Sequence, residues 1–471
     1  MRGRKTLKKT KLIVIGAGPA GYVAAIRAAQ LGAEVTVIEQ DKPGGVCVNC
    51  GCIPTKALAW STELLEFCRQ SHDMGVETGQ VKANFSRMMA KKEETVTRVR
   101  GGVKFLLQAN KINLIKGQAT FSGPGQIKVV SEDRILKLPA DKVIIATGSQ
   151  PIRLPFVDYD HPSVMASEEI LQLTQIPKTL IIVGAGVIGC EFASIFSSLG
   201  SKIWMIEMME NILPLEDKSV ARALTQNFKK RGIKILTSTR LKEIKKYDHQ
   251  AIRVTLEEGE EIETEKMLIC VGRRPNTENI GLDNLGLDCD EKGMISVDKG
   301  MQTSQEGIWA AGDVIGGILL AHVAFAEAVV AAERALGHNS IMNYSVVPNC
   351  IFTNPQIATV GLNRDSAQER KIKVKIGRFP FAANGKAQAI GQTEGFVQLI
   401  VEEESKKVLG GQIIGPHAAD LIHEIALAVR CGITADQITQ TIHAHPTLPE
   451  TIMEAALSAL GKPLHIVRAR M

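Results

Sequence analysis

The alternation of apolar and polar positions reveals two similar segments in distant parts of the chain. In the first, an apolar run from Lys11 to Ile15 leads into three glycines, a helical pattern continues to Gly32, and a second apolar run ends at Glu39. The second segment, residues 180–207, repeats this order. Each pattern predicts a strand, a glycine turn, a helix and a second strand. The chain is therefore expected to contain two related β-α-β units.

Further apolar runs extend this picture beyond the two units. Residues 141–146, 267–272 and 307–312 predict buried strands that end near glycines, and an Ala-rich helix follows from about His322 to Leu336. After Pro348, short β-like runs alternate with glycine turns, and helical patterns dominate residues 418–460. The predicted fold is α/β, with two Rossmann-like dinucleotide-binding domains and a C-terminal α+β domain that lacks a nucleotide motif.

Both glycine turns have the spacing G-x-G-x-x-G, and the glycines are Gly16, Gly18, Gly21 and Gly184, Gly186, Gly189. The first glycine permits the tight turn, the second lets the backbone approach a pyrophosphate, and the third allows close packing of helix on strand. Glu39 and Glu207 end the following strands, where a carboxylate binds a ribose. Since Met208 and Met209 follow Glu207 without a basic residue, NAD is favoured over NADP at the second site. The alternative is a pair of glycine turns that serve packing only.

Composition narrows the class of protein. The 471 residues correspond to about three domains, and the low aromatic content of 4% argues against a base-stacking nucleic-acid surface. No apolar run is long enough to predict a membrane span. The net charge of +6 is concentrated at the start of the chain, in Arg2, Arg4, Lys5, Lys8, Lys9 and Lys11. This basic segment is either a solvated terminus or a contact for an acidic partner or nucleic acid.

Three of the nine cysteines cluster at Cys47, Cys50 and Cys52, and the other six are scattered. This distribution is not that of a secreted disulfide scaffold, so we expect a cytoplasmic enzyme with one reactive cluster. Pro54 suits the opening of a helix, which would place Cys52 near a helix N-terminus that stabilises a thiolate. Zinc binding is the alternative, but no second ligand pair is evident elsewhere, and we predict no metal.

The segment from Gly44 to Lys56, with Cys47-x4-Cys52-Ile-Pro-Thr, resembles the active-site signature of the class I pyridine nucleotide–disulfide oxidoreductases. The resemblance covers essentially the whole chain and includes residues 146–149, 271–275, 311–313, 352–358 and 443–450. Within the family, residues 320–322 and 443–448 are most similar to the dihydrolipoyl dehydrogenases. Glutathione-type reductases would carry basic residues after the second acid, and mercuric reductases carry a C-terminal cysteine pair, whereas this chain has no cysteine after Cys431.

The resemblance implies an activity and assigns roles. The implied reaction is FAD-dependent oxidation of protein-bound dihydrolipoamide to lipoamide, with reduction of NAD, through a Cys47–Cys52 redox disulfide. Cys47 would exchange with the substrate and Cys52 would lie nearest the flavin. His445 would be the base that deprotonates the substrate thiol, and Glu450 would orient its imidazole. In this family the histidine serves the other subunit, so the resemblance implies a homodimer and a lipoylated carrier protein as partner.

The resemblance also implies the cofactor contacts and the domain boundaries. Lys56 would pair with Glu191 beside the flavin. The FAD contacts would be Gly16, Gly18, Pro19, Gly21, Glu39, Gly45, Lys56, Gly117, Ala119, Thr147, Gly148, Ser149, Asp313, Leu320, Ala321 and His322. The residues grouped with NAD are Gly184, Gly186, Val187, Ile188, Gly189, Glu191, Glu207, Leu241 and Gly272. The FAD-binding domain would comprise residues 1–150 and 273–345, the NAD-binding domain 151–272 and the dimerisation domain 346–471.

Three positions depart from the family pattern, and two rival functions stay open. Val46 stands where a threonine is usual, Cys50 where a valine is usual, and Pro449 where a serine is usual. Cys50 introduces a second pairing, Cys47 with Cys50, beside the expectation of an inert buried thiol. The rivals are an NADH-dependent reductase of another disulfide or of a metal ion, and a non-catalytic flavoprotein subunit or redox sensor.

Overall fold

The computed structural model describes residues 9–246, 251–287 and 289–467. The basic residues of the first eight positions therefore lie outside the described residues. Both predicted β-α-β units are present, and the C-terminal part forms an antiparallel sheet covered by helices. Across the described ranges, no helix is long and apolar enough to cross a membrane.

The first nucleotide-binding unit is built on a five-stranded parallel sheet in the order β18-β7-β1-β2-β3. Its apolar strands are buried because helices cover the sheet, as parallel sheets require. An antiparallel sheet of β4, β5 and β6 is inserted before β7. The elements are β1 (Lys11–Ile15), α1 (Pro19–Gln30), β2 (Glu34–Glu39), α2 (Gly45–Asn49), α3 (Cys52–Gln70), α4 (Phe85–Ala109), β3 (Asn113–Lys116), β4 (Gln118–Gly123), β5 (Gln126–Val130), β6 (Ile135–Pro139), β7 (Lys142–Ile145), β18 (Ile308–Ala310) and α7 (Ala321–Ala335).

The second unit repeats this plan between the two halves of the first. Its parallel sheet has the order β12-β11-β10-β16-β9, and β13, β14 and β15 form a separate antiparallel sheet. The elements are β9 (Val164–Met165), β10 (Thr179–Val183), α5 (Val187–Ser198), β11 (Lys202–Ile206), α6 (Lys218–Lys230), β12 (Lys234–Leu236), β13 (Leu241–Lys246), β14 (Ile252–Leu256), β15 (Glu261–Thr264) and β16 (Lys266–Ile269). The two short strands β8 (Ser149–Pro151) and β17 (Arg273–Pro275) pair with each other where the chain passes between the units.

The C-terminal part is an antiparallel sheet in the order β19-β20-β23-β22-β21. Helices α10 and α12 pack on it and bury an aliphatic core that includes Ile422 and Ile452. The elements are β19 (Asn349–Ile351), β20 (Gln356–Gly361), α8 (Arg364–Glu369), β21 (Val374–Pro380), α9 (Gly385–Ala389), β22 (Phe396–Glu402), β23 (Val408–Gly415), α10 (Ala418–Cys431), α11 (Ala435–Gln440) and α12 (Glu450–Ala459). The turn between α11 and α12 carries His445.

Candidate active site

The two glycine turns have nearly the same backbone geometry. Gly16 and Gly184 adopt φ of +99° and +98°, which side chains other than glycine rarely accept. A Cβ on Gly21 would lie 1.9 Å from the carbonyl oxygen of Gly16, and one on Gly189 would lie 2.0 Å from that of Gly184. The first and third glycines are therefore required by the protein's own backbone.

The second glycine of each turn caps a helix without a side-chain hydrogen bond. Gly18 precedes α1, in which Pro19 is the first residue, and Gly186 precedes α5, which opens with Val187 and Ile188. Both helices span 12 residues, so their free N–H groups and dipoles favour an anion at these ends. Both turns therefore suit the pyrophosphate of a dinucleotide.

The two turns differ in what lies above them. Gly45, at the start of α2, packs on the first turn so closely that a Cβ on it would lie 2.6 Å from the Gly18 Cα. Around Gly186, a Cβ would meet nothing within 4 Å. The segment that carries the cysteines thus lies against the first glycine turn, whereas the space at Gly186 of the second turn is open.

The two strand-ending carboxylates also occupy equivalent places. Glu39 accepts hydrogen bonds from the N–H groups of Ala17 (2.7 Å) and Asp41 (2.8 Å). Glu207 accepts from the N–H groups of Ala185 (2.7 Å) and Met209 (2.9 Å). Burial raises the pKa of Glu39. These bonds hold each carboxylate beside its glycine turn, where a ribose hydroxyl would donate to it.

The cysteine cluster spans the junction between α2 and α3. Cys47 lies within α2, and Cys52 is the first residue of α3. The Cys47 and Cys52 side chains interact directly, and this interaction lowers the pKa of Cys52, against burial and with help from the Lys56 ammonium. The same contact, together with burial, raises the pKa of Cys47. Cys52 is therefore the thiolate of the contacting pair.

Cys50 points to different neighbours. It follows α2 directly, and its thiol hydrogen-bonds the Glu168 carboxylate. Burial, followed by the charge of Glu168, raises the pKa of Cys50 to about 12. A thiol with so high a pKa is a poor nucleophile near neutral pH. No group of three or more candidate metal ligands occurs among the described residues.

An ion pair between the half-buried Lys56 and the buried Glu191 lies one helical turn after Cys52. The Lys56 Nζ contacts both carboxylate oxygens of Glu191, at 2.9 and 2.8 Å, and it lies 4.7 Å from the centroid of the Phe352 ring. Glu191 is only 4% exposed, and its Oε1 also accepts the N–H of Phe352. The pair joins α3 to α5 and keeps a positive charge close to the Cys52 sulfur.

The predicted flavin residues beyond the glycine turn converge on the edge of the first sheet. The Ser149 hydroxyl donates to Asp313 Oδ2 at 2.5 Å, and Thr147 Oγ1 donates to the Asn276 carbonyl at 2.7 Å. Gly148, between them, has φ of +72°. Gly117 N–H donates to the Glu39 carbonyl.

The last predicted flavin contacts lie at the start of α7 and in β4. Leu320 caps α7 and Ala321 opens it, whereas His322 Nε2 lies 2.9 Å from the Pro348 carbonyl oxygen. Ala119 is buried among core residues of β4 and β5. Leu320 and Ala321 thus lie at the N-terminus of α7. His322 and Ala119, in contrast, are already engaged by other residues of the chain.

Two further predicted NAD residues lie at or just beyond the ends of strands in the second unit. Leu241 opens β13, and Gly272 follows β16 with φ of +129°. The Gly272 carbonyl accepts the N–H of Ile152 at 3.0 Å.

The histidine and glutamate near the C-terminus form a contact pair. His445 Nδ1 lies 2.9 Å from Glu450 Oε1, and Glu450 Oε2 accepts the Thr447 N–H at 2.7 Å. Burial alone would raise the pKa of Glu450, but the Thr447 N–H and His445 together hold it below its ordinary value. The His445 side chain is 76% exposed. Within the described part of one chain, its hydrogen bond leads to Glu450 and not to Cys47.

Comparison with known protein families agrees with this geometry. The family model for the pyridine nucleotide-disulphide oxidoreductases matches residues 10–328, and the model for their dimerisation domain matches residues 347–456. The chain belongs to this family. The two matches together cover both glycine turns, the cysteine cluster and the His445 turn.

Individual members of the oxidoreductase family match over nearly their whole length. A dihydrolipoyl dehydrogenase of Geobacillus stearothermophilus is 40% identical over 462 residues, covering 98% of both chains. One of Chlamydia pneumoniae is 41% identical, covering 96% of this chain and 97% of the relative. Among solved structures, LpdA from Mycobacterium tuberculosis is similar with a TM-score of 0.90 and 30% identity, over 95% of this chain and 99% of that one.

The structure also adds residues to the oxidoreductase site that the sequence pattern did not single out. Arg273 contacts Ser149 through its Nε and Nη2. Glu327 is 2% exposed and accepts the Gly312 N–H at 2.8 Å, so it holds the turn that precedes Asp313. Phe352 packs on Lys56. Arg273 and Phe352 lay within motifs that signalled the family, but their contacts depend on distant parts of the chain.

Proposed function

We propose that this oxidoreductase oxidises a protein-bound dihydrolipoyl dithiol to the disulfide and reduces NAD. The observation that carries the proposal is the contact between the Cys47 and Cys52 thiols, with Cys52 stabilised as the thiolate. Two electrons and one proton leave the substrate as hydride for NAD, and the second proton is released. The dihydrolipoyl dehydrogenases among the relatives support this choice of substrate.

Cys47 and Cys52 divide the thiol chemistry between them. In the oxidised enzyme, a substrate thiolate attacks the sulfur of Cys47, and the Cys47–Cys52 bond breaks with Cys52 as the leaving thiolate. The second substrate thiol then attacks the sulfur bound to Cys47, which forms the product disulfide and releases Cys47 as a thiolate that takes up a proton. The low pKa of Cys52 favours its departure, since a more acidic thiol leaves faster.

His445 is the base that accepts the proton of the substrate thiol. Its Nδ1 is engaged by Glu450, so Nε2 is the nitrogen that accepts a proton from a substrate thiol. The Glu450 carboxylate stabilises the imidazolium that forms and fixes the orientation of the ring. The high exposure of His445 suits a group that meets its cysteine pair across a subunit interface.

The residues around both glycine turns fit two dinucleotides. The first turn, with Glu39, Lys56, Ser149 and Asp313 around it, would hold FAD, and the second, with Glu207, would hold NAD. The flavin, when bound, passes electron pairs between the thiols and the nicotinamide. The open space at Gly186 and the free N–H groups of α5 support binding of the pyrophosphate.

The dimerisation domain supports a homodimer as the working form. Trp60, Leu64 and Ile442 are large apolar residues exposed on the single chain, and burial against a second copy would remove them from water. The lipoyl group would arrive on a separate carrier protein. A cytoplasmic location fits the scattered cysteines, which suit a reducing compartment.

The direct test is a steady-state assay of the FAD-loaded enzyme with dihydrolipoamide and either NAD or NADP. We expect rapid reduction of NAD and much slower reduction of NADP, because Glu207 would repel a 2′-phosphate. No reaction with dihydrolipoamide, combined with NADH-dependent reduction of another disulfide or of a metal ion, would favour the first rival. No turnover with any thiol, disulfide or metal would favour a non-catalytic flavoprotein.

A further inference from the structure

The chain passes between the two nucleotide-binding units through a two-stranded ribbon. Its strands are β8 and β17, which form a sheet of their own within the described residues. Hydrogen bonds from Ile152 N–H to the Gly272 carbonyl (3.0 Å) and from Asn276 N–H to the Gly148 carbonyl (2.9 Å) extend the ladder. A two-stranded ribbon is marginally stable by itself, so its position depends on what anchors it.

Arg273 provides such an anchor. Its Nε donates to the Ser149 hydroxyl at 2.7 Å, and its Nη2 donates to the Ser149 carbonyl at 2.8 Å. Ser149 in turn donates to Asp313 Oδ2, which lies 4.0 Å from the Arg273 Nε. The guanidinium belongs to β17, Ser149 to β8 and Asp313 to the turn after β18. The Arg273 side chain, which is 13% exposed, thus connects both strands of the ribbon to the turn that carries Asp313.

We propose that Arg273 is a positioning residue that fixes the NAD-binding unit relative to the flavin site. The proposal rests on the proposed function, because electron transfer between two dinucleotides requires their units to be held in one relative orientation. Arg273 acts through Ser149 and Asp313.

A second anchor between the units lies elsewhere in the chain. It consists of α3 packed on α5, with the Lys56–Glu191 ion pair between them. Glu66 of α3 also forms a salt bridge at 2.7 Å with Arg231, the residue after α6, and Arg69 of α3 donates to the Ser198 carbonyl at 2.7 Å. None of these contacts involves the ribbon. Replacing Arg273 is therefore expected to loosen the ribbon, and with it the placement of the NAD-binding unit, while the fold of that unit stays intact.

The geometry requires an arginine. Its planar fork reaches the Ser149 hydroxyl and carbonyl together, whereas a lysine ammonium has one nitrogen and no fixed fork. Arg274, the next residue, is a matched control because it is 47% exposed and bonds only Glu278 within the described structure.

The test compares Arg273→Met, Arg273→Lys and Arg274→Met as FAD-loaded enzymes. Hydrogen exchange of the Ile152 and Asn276 amides reports on the ribbon without any turnover. We expect exchange about tenfold faster in Arg273→Met, since a hydrogen bond to a charged group contributes about that factor or more. Arg273→Lys should be intermediate and Arg274→Met unchanged.

Rapid-mixing measurements then separate the two half-reactions. In Arg273→Met, re-oxidation of the reduced enzyme by NAD should slow about tenfold. Reduction by dihydrolipoamide should change less than about twofold, because thiol exchange takes place at the Cys47–Cys52 pair, whose connection to α5 through Lys56 and Glu191 stays intact. Unchanged amide exchange in Arg273→Met would overturn the proposal, as would equal slowing of both half-reactions or loss of FAD alone. Failure of the proposed function would be distinguishable, because dihydrolipoamide would then not reduce even the unaltered enzyme.

Discussion

At the scale of single residues, His445 presents one engaged and one available ring nitrogen. Replacing it with glutamine keeps the size of the side chain but removes the base, so we expect kcat with dihydrolipoamide to fall by about 10²–10⁴-fold. Transfer from NADH to a one-electron acceptor such as ferricyanide, which needs no thiol exchange, should be preserved. Loss of both activities to the same extent would indicate damage to the fold and count against the role of His445 as base.

Cys50 departs from the family pattern, and we expect this departure to leave the activity unchanged. Its bond to Glu168 and its raised pKa predict that Cys50→Val, which restores the usual residue, changes kcat by less than about twofold. With a pKa of about 12, Cys50 should also react more slowly with iodoacetamide at pH 8 than Cys52, whose pKa is lowered. A large loss of activity in Cys50→Val, or preferential labelling of Cys50, would show that it exchanges with Cys47.

Lys56 contributes to the low pKa of Cys52, although the interaction with Cys47 has the larger effect. A lowered thiol pKa means that the thiolate persists to lower pH, and removing the cation should reverse part of this. We expect Lys56→Met to shift the alkylation profile of the reduced cysteine pair upward by about one pH unit. Lys91→Met, at an exposed position of α4, is the control and should leave the profile unchanged. An identical profile in Lys56→Met would contradict the electrostatic role.

At the scale of elements, the second and third glycines of a nucleotide turn are required for different reasons, the second for ligand binding and the third for the fold. A Cβ on Gly189 would overlap the Gly184 carbonyl, whereas one on Gly186 meets only open space. Gly189→Ala should therefore lower the melting temperature or prevent folding. Gly186→Ala should leave the melting temperature within a few degrees but weaken NAD binding, measured by calorimetry. Equal losses of stability in both variants would contradict this division.

The elements themselves were predictable where the periodic pattern was strong. Both β-α-β units formed where they were predicted. The observed strands at 142–145, 266–269 and 308–310 overlap the predicted runs 141–146, 267–272 and 307–312, because buried strands and amphipathic helices follow local apolar spacing. The contacts that organise the site were not predictable in this way. Arg273 with Ser149 and Glu327 with Gly312 join residues from separate segments, and only the folded chain brings them together.

At the scale of the whole molecule, the exposure of His445 predicts that each active site is formed by residues of two chains. Cys47→Ser and His445→Gln homodimers should each be nearly inactive. If the two variants are dissociated, mixed in equal amounts and reassociated, half of the dimers become mixed and each has one intact site, so about a quarter of the unaltered activity should return. No recovery, although mass spectrometry detects mixed dimers, would place the histidine and the cysteines of a site in the same chain.

The difference in cover above the two glycine turns has a consequence for how long each nucleotide stays. At the first turn, Gly45 packs against Gly18, so we expect the cysteine-bearing segment to slow the release of a dinucleotide held there. Over the second turn, Gly186 faces open space. Two turns of nearly the same backbone geometry are therefore expected to hold their dinucleotides for different times, the first throughout the catalytic cycle and the second only while the nicotinamide reacts.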